Sequence, residues 1–190
     1  MVLRGFRKLW PWLIVAVILA GAVLQLRAQG RLWFCVCGYF LPWSSDAWSA
    51  DNSQHLLDPY SFTHVLHGFM FWWLLAWALP RVSVSWRLCA AVALEATWEV
   101  IENTNFVIER YREATQALGY RGDTVVNSLG DILMCALGFL LARRIGWRRS
   151  LALFVLTEVV LLVWIRDSLL LNILMLLYPL EGIKAWQAGH

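Results

Sequence analysis

Two histidines three positions apart, His64 and His67, stand in an otherwise apolar stretch, and further apolar stretches carry polar side chains at the same kind of spacing. Glu95, Glu99 and Glu102 follow at intervals of four and three, Asn127 and Asp131 are four apart, and a later stretch holds Glu158 and ends at Arg166-Asp167. Positions three, four and seven apart share one face of an α-helix, so each group is expected to form a stripe. Two imidazoles with several carboxylates can hold a divalent cation such as Zn, Mn or Fe, and the same groups can give and take protons without a metal. Three carboxylates on one stripe repel if all are ionised, so at least one is expected to be protonated, cation-bound or paired with Arg.

The elements that carry these groups are oily. The 190-residue chain is 60% hydrophobic and 15% charged, with 13 Trp and a mean hydropathy of +0.58. This composition excludes disorder and most soluble folds. A helix needs about 20 apolar residues to cross a hydrocarbon core of about 30 Å. Five runs come near that length: 9–26, 62–79, 86–101, 124–142 and 151–165. A sixth patch, Leu169–Leu177, is too short to span and is closed by Tyr178-Pro179. None of the runs alternates as a membrane barrel strand would. The expected fold is a single all-α domain over 1–190: a polytopic membrane helix bundle of about five transmembrane helices plus a short interfacial or re-entrant C-terminal helix. Segments 28–61 and 103–123 join the spans on one side, and the second could prolong the third helix through Arg110 and Glu113 before Gly119 and Gly122 break it.

Arg4, Arg7 and Lys8 before the first run also suit a secretory signal peptide, but the run is long and no A-x-A site precedes Gln29, so an uncleaved anchor is expected. Lys and Arg in short loops mark the cytoplasmic side. With the N-terminus inside, Arg4, Arg7, Lys8, Arg81, Arg87, Arg143, Arg144, Arg148 and Arg149 all fall there, and the segments that carry them contain no Asp or Glu. The chain is therefore expected in a bacterial cytoplasmic (inner) membrane, with the lipid bilayer as its surroundings and its C-terminus on the outer face.

Counting about 1.5 Å per residue from the span ends places His67 roughly 8 Å and Asp131 about 10 Å below the outer face. Glu99 and Glu102 reach a similar level, with Glu95 and Glu158 lower. These positions predict a polar chamber open to the outer face, closed below by Glu95 and Glu158 and lidded by Asn52-Ser53-Gln54-His55 and Gly122-Asp123. The plain alternative is interhelical hydrogen bonding, worth about 0.6 kcal/mol per pair, with Gly68, Gly130 and Gly138 allowing close approach. His55 alone is expected to be a solvated loop residue. Trp10, Trp12, Trp43, Trp86 and Trp147 at span ends are expected as interfacial anchors. Cys35 and Cys37 are expected to play a structural role or none, and Cys89 and Cys135 to pack.

Several classes are excluded. A net charge of +3 with no basic block gives no nucleic-acid footprint. The chain has no H-E-x-x-H, G-x-S-x-G, P-loop or dinucleotide fingerprint.

Asn52-Ser53-Gln54-His55, the run Tyr60-Ser61-Phe62-Thr63-His64-Val65-Leu66-His67-Gly68-Phe69, Trp98-Glu99-Val100-Ile101-Glu102-Asn103, Gly122 to Ser128, Asp131, Ile165-Arg166-Asp167 and the closing Ile183-Lys184-Ala185-Trp186-Gln187 resemble an uncharacterised family of alphaproteobacterial multi-pass inner-membrane proteins. The resemblance covers almost the whole chain and implies no reaction. A fainter likeness from His64 to Gly138, through Glu99, Asp123, Asn127 and Gly130, is similar to VanZ-like membrane proteins and implies an envelope-lipid ligand; Asp131, Glu102 and the His55 loop have no place in that pattern.

Three functions remain open. In the first, an outer-leaflet site binds or processes an envelope lipid or lipid-linked precursor. There His67, Glu99, Glu102 and Asp131 are the catalytic candidates, His64, Asn127, Asp123 and Arg166 bind the ligand, and His64, His67, Glu99 and Asp131 are the candidate metal ligands. The second is a proton or cation pathway through Glu95 and Glu158. The third is a non-catalytic accessory or scaffold subunit.

Overall fold

The computed structural model describes residues 2–114 and 119–189 of the chain. Eight helices follow one another: α1 Val2–Ala28, α2 Ser61–Ala78, α3 Val84–Glu102, α4 Asn105–Ala114, α5 Val125–Ile145, α6 Trp147–Ile165, α7 Leu169–Leu177 and α8 Glu181–Ala188. The fold is all-α among the described residues. The side chains of Arg4, Arg7 and Lys8 lie outside the described set, as do residues 115–118 of the 103–123 segment.

α2 and α5 form the central pair, and glycine sets their distance. A Cβ at Gly68 would run into the backbone carbonyl of Cys135, and one at Gly138 into that of Val65; at Gly130 the carbonyl of Leu56 occupies the same position. α1 and α3 pack on this pair through Ala22, Leu75, Leu88, Ala91, Val92, Ala96, Ile132 and Phe139. Leu66, Phe69, Ala142, Phe154 and Leu169 build a second apolar cluster that joins α2 and α5 to α6 and α7. On α6, Ser150 accepts a hydrogen bond from Trp73 Nε1 at 2.9 Å.

The segment between α1 and α2 folds back over the start of α5. The first N–H groups of a helix have no partner within it, and here Thr124, Val125 and Val126 donate to the carbonyls of Ser53, Leu32 and Trp33. The Thr124 side chain caps the same turn by accepting from the Asn127 N–H. His55 is thereby buried rather than solvated, at 1% exposure, because Tyr39 stacks on its ring and Leu41 N–H donates to its Nδ1.

Five equivalent spans are not supported. Leu9–Ala28 and Val125–Ile145 are long and apolar enough to cross a membrane, and a third crossing results if α6 and α7, bent by 71°, count as one broken span. α2 carries His64 and His67, while α3 carries Arg87 and three glutamates; these residues reduce their apolar character. The 103–123 segment does not prolong the third helix. α3 stops at Glu102, Asn103 turns the chain, and α4 starts afresh at Asn105. The expected short C-terminal helix is α7, followed by the unexpected α8.

Candidate functional site

The N-terminal half of α2, the C-terminal half of α3 and the first turns of α5 meet at one end of the bundle, and their polar stripes face each other. Glu95 is its centre. Its Oε1 lies 2.5 Å from His64 Nδ1 and 3.0 Å from His67 Nδ1, and its Oε2 lies 3.1 Å from His67 Nδ1. One turn later on α3, Glu99 Oε1 lies 3.4 Å from the same His64 nitrogen. The other ring nitrogen of His64 faces Asp131 Oδ2 at 3.8 Å. Asp131 is held in turn by the Ser61 hydroxyl, which donates to its Oδ1 at 2.7 Å. Glu95 and Glu99 are both 0% exposed, yet neither Glu99 oxygen has a hydrogen-bond partner among the described residues.

A second tier sits nearer the loops. Tyr111 OH donates to Glu102 Oε1 at 2.8 Å and lies 3.0 Å from Asn172 Oδ1 on α7. Asp123 accepts from Asn103 Nδ2 at 2.7 Å and Tyr120 OH at 2.8 Å. Its carboxyl is pushed up by burial and pulled back by those two donors. Asp58, just before α2, accepts from the N–H groups of Ser53 and Tyr60 at 2.8 Å each. Tyr60 OH donates to Asp167 at 3.1 Å.

Above these tiers opens a cavity of about 870 Å³. His64, His67, Glu102, Asp123, Asp131 and Asp167 supply its polar lining, while Leu169, Ile173, Leu176 and Leu177 of α7 with Trp98 form an apolar wall. The loop of Cys35, Cys37 and Trp48 forms part of its rim, and the two cysteines are bonded to each other.

Of the residues singled out in the sequence, His64, His67, Glu102, Asp123 and Asp131 line the cavity, and Glu99 contacts His64 within the site. Asn127 is buried on the first turn of α5 and is not among the lining residues. Arg166 lies apart: its NH1 donates to the Trp186 carbonyl at 2.9 Å and its guanidinium packs on the Trp186 ring. Glu158 does not close the chamber. Its two oxygens accept the N–H groups of Leu169 and Leu170 at 2.9 and 3.2 Å, capping α7. Glu95, expected as part of the floor, lies beneath His64 and His67 and bridges both. Asp58, Tyr60, Tyr111 and Tyr120 were not anticipated; Asp58-Pro59 ahead of a helix start was the visible signal for the first.

The family model described as Protein of unknown function (DUF2585) matches residues 26–189. The UPF0314 protein of Brucella anthropi is 44% identical over 177 residues, covering 93% of this chain and 90% of its own length. That of Sphingopyxis alaskensis is 43% identical, covering 94% of this chain and 95% of its own length, and that of Rhizobium meliloti is 44% identical, with 96% and 93% covered. No solved structure matches the chain. With a family match over most of its length and such relatives in alphaproteobacteria, the chain belongs to the UPF0314/DUF2585 family of unknown function.

Proposed function

We propose that this chain is a multi-pass protein of the bacterial inner membrane whose chamber, open at the level of the outer leaflet, binds and processes the polar headgroup of an envelope lipid or lipid-linked precursor. The observation that carries this reading is one cavity with a mixed lining: carboxylates and imidazoles together with the leucines of α7. Such a site suits a ligand with a polar head and an apolar tail. The distribution of side chains agrees with a lipid surrounding. Glu95 and Glu99 are sealed inside while Trp77 and Val163 are each 80% exposed, the inverse of a water-soluble domain.

On this reading α2 and α3 also cross. Their 18 and 19 residues extend about 27 and 28 Å at about 1.5 Å per residue, and their charged faces turn into the bundle. His67 is the acid–base group at the headgroup, Glu99 acts behind the cavity wall through His64, and Asp131 and Glu102 supply electrostatics. The order His64, Glu99, Asp123-x-x-x-Asn127-x-x-Gly130, similar to VanZ-like proteins, favours the same ligand class. A proton pathway is less well supported, because Leu88, Val92, Ile132 and Phe139 form an apolar core elsewhere between the same helices.

Native mass spectrometry of the protein extracted in lipid nanodiscs tests the binding claim. A phosphorus-containing or lipid-linked species retained by wild type, and lost when Ile173 and Leu177 are changed together to Asp, is expected. Retention of bulk lipid alone, identical in both, would sink it. For the catalytic claim, Glu99→Gln should fail to complement a deletion strain although it inserts normally; full complementation would remove Glu99 from the chemistry.

A further inference from the structure

We infer that the base of the chamber is a divalent transition-metal site, of the zinc class, built by His64, His67 and Glu95. It does not depend on the headgroup reading, and with the metal bound His67 serves as a ligand in place of its acid–base role there. One donor atom from each of the three residues comes within 4.8 Å of the other two. Ligands at about 2.1 Å from a metal lie about 3.0 Å apart at a right angle and about 3.4 Å apart at the tetrahedral angle. His67 Nδ1 is 3.0 Å from Glu95 Oε1, at that spacing; His64 Nδ1, 2.5 Å from the same oxygen, stands in direct hydrogen-bond contact and draws back by about 0.5 Å when the two share a metal. Two imidazoles and one carboxylate are the donor set of catalytic zinc sites, which leave a further position for water or substrate. His64 and His67 line the cavity, so that position faces the chamber.

Two further observations point to a cation rather than to a hydrogen-bonded knot. Glu99, facing His64 Nδ1 at 3.4 Å, is wholly buried with both oxygens lacking a hydrogen bond among the described residues, and a buried carboxylate is costly unless something positive satisfies it or it takes up a proton. The second is the outer partner of His64. A metal-bound imidazole usually donates its other N–H to a carboxylate, which fixes the ring; here Nε2 faces Asp131, itself fixed by Ser61. The ligand set thus differs from the expectation drawn from spacing. Glu95 replaces Asp131 as a ligand, Asp131 becomes a positioning residue, and Glu99 stands at the edge of the triad.

A second group, Asp51 and His55 with Cys35 and Cys37, would offer metal donors at the rim once the Cys35–Cys37 disulfide is reduced, so the test separates the two. The full chain is purified in detergent, stripped with chelator, exposed to zinc chloride alone and passed through size exclusion before elemental analysis. About one zinc per chain is expected, retained in a Cys35→Ser, Cys37→Ser variant. Glu95→Gln, nearly the same in shape, should lower the affinity at least a hundredfold, and Asp131→Asn about 10- to 100-fold. Cobalt in place of zinc should give visible ligand-field absorption that Glu95→Gln abolishes while its circular dichroism remains that of wild type. A wild type that holds no more zinc than a detergent blank, or zinc that survives Glu95→Gln and vanishes with the cysteines, overturns the assignment.

Discussion

His64 carries more of the site than any other residue, because its two ring nitrogens meet carboxylates from different helices. Ser61, three positions earlier, is as consequential in a quieter way: its hydroxyl accepts the Asp58 N–H at 3.1 Å and donates to Asp131, tying the start of α2 to α5. Ser61→Ala leaves a buried N–H and a buried carboxylate each short of a partner, so thermal unfolding in detergent should show a loss of about 1–3 kcal/mol. An unchanged midpoint would mean that the Asp131 contact contributes nothing. Asp58 gives a pH signature. Burial pushes its carboxyl above the ordinary range, the Ser53 N–H opposes this, the Asp123 charge adds to it and the Tyr60 N–H opposes it again. The folded protein therefore binds this proton more tightly than the unfolded chain, and the stability it contributes at acid pH is lost as pH rises through the folded-state value. The melting-temperature advantage of wild type over Asp58→Asn should narrow as pH rises above about 4, the ordinary carboxylate value; a widening gap would reverse the sign assigned here.

At the scale of elements, glycine and capping decide how the stripes meet. Gly138→Ala forces a Cβ into the Val65 carbonyl, and backbone has little room to yield, so a loss of about 1–3 kcal/mol is expected. Gly182→Ala, where a Cβ meets nothing, should stay within about 0.5 kcal/mol; equal effects would remove close α2–α5 approach as the cause. Glu158→Ala should speed hydrogen exchange at the Leu169 and Leu170 amides that it caps, with α2 amides unchanged. Periodicity made these stripes legible: His64 with His67, and Glu95 with Glu99, share faces as their spacing required. Leu169–Leu177 was legible because Tyr178-Pro179 ends it. What could not be read was the offset between helices. Counting the rise from span ends assumes parallel, level helices, and that assumption put Glu95 beside Glu158 rather than between two histidines. The burial of His55 depends on Tyr39 and Leu41 folding onto it, a tertiary event without local signature, and α8 is eight residues of mixed polarity.

For the whole molecule, the decisive feature is its polarity from end to end. Arg81, Arg87, Arg143, Arg144, Arg148 and Arg149 cluster around the α2–α3 and α5–α6 turns, whereas Asp58, Glu102, Asp123 and Asp167 belong to the opposite, cavity-bearing end. In the proposed topology the arginine end stays in the cytoplasm, which obliges the chamber to open outward and places its ligand in the outer leaflet rather than the inner one. The consequence is checkable without knowing the ligand. In a background with Cys35 and Cys37 changed to Ser, a membrane-impermeant maleimide added to intact spheroplasts should label Arg121→Cys and Glu181→Cys and should reach Arg81→Cys and Arg148→Cys only after lysis. Labelling of the arginine-end positions before lysis, with the chamber-end positions protected, would turn the molecule over and move the search for its ligand to the cytoplasmic leaflet, leaving the geometry of His64, His67 and Glu95 unchanged.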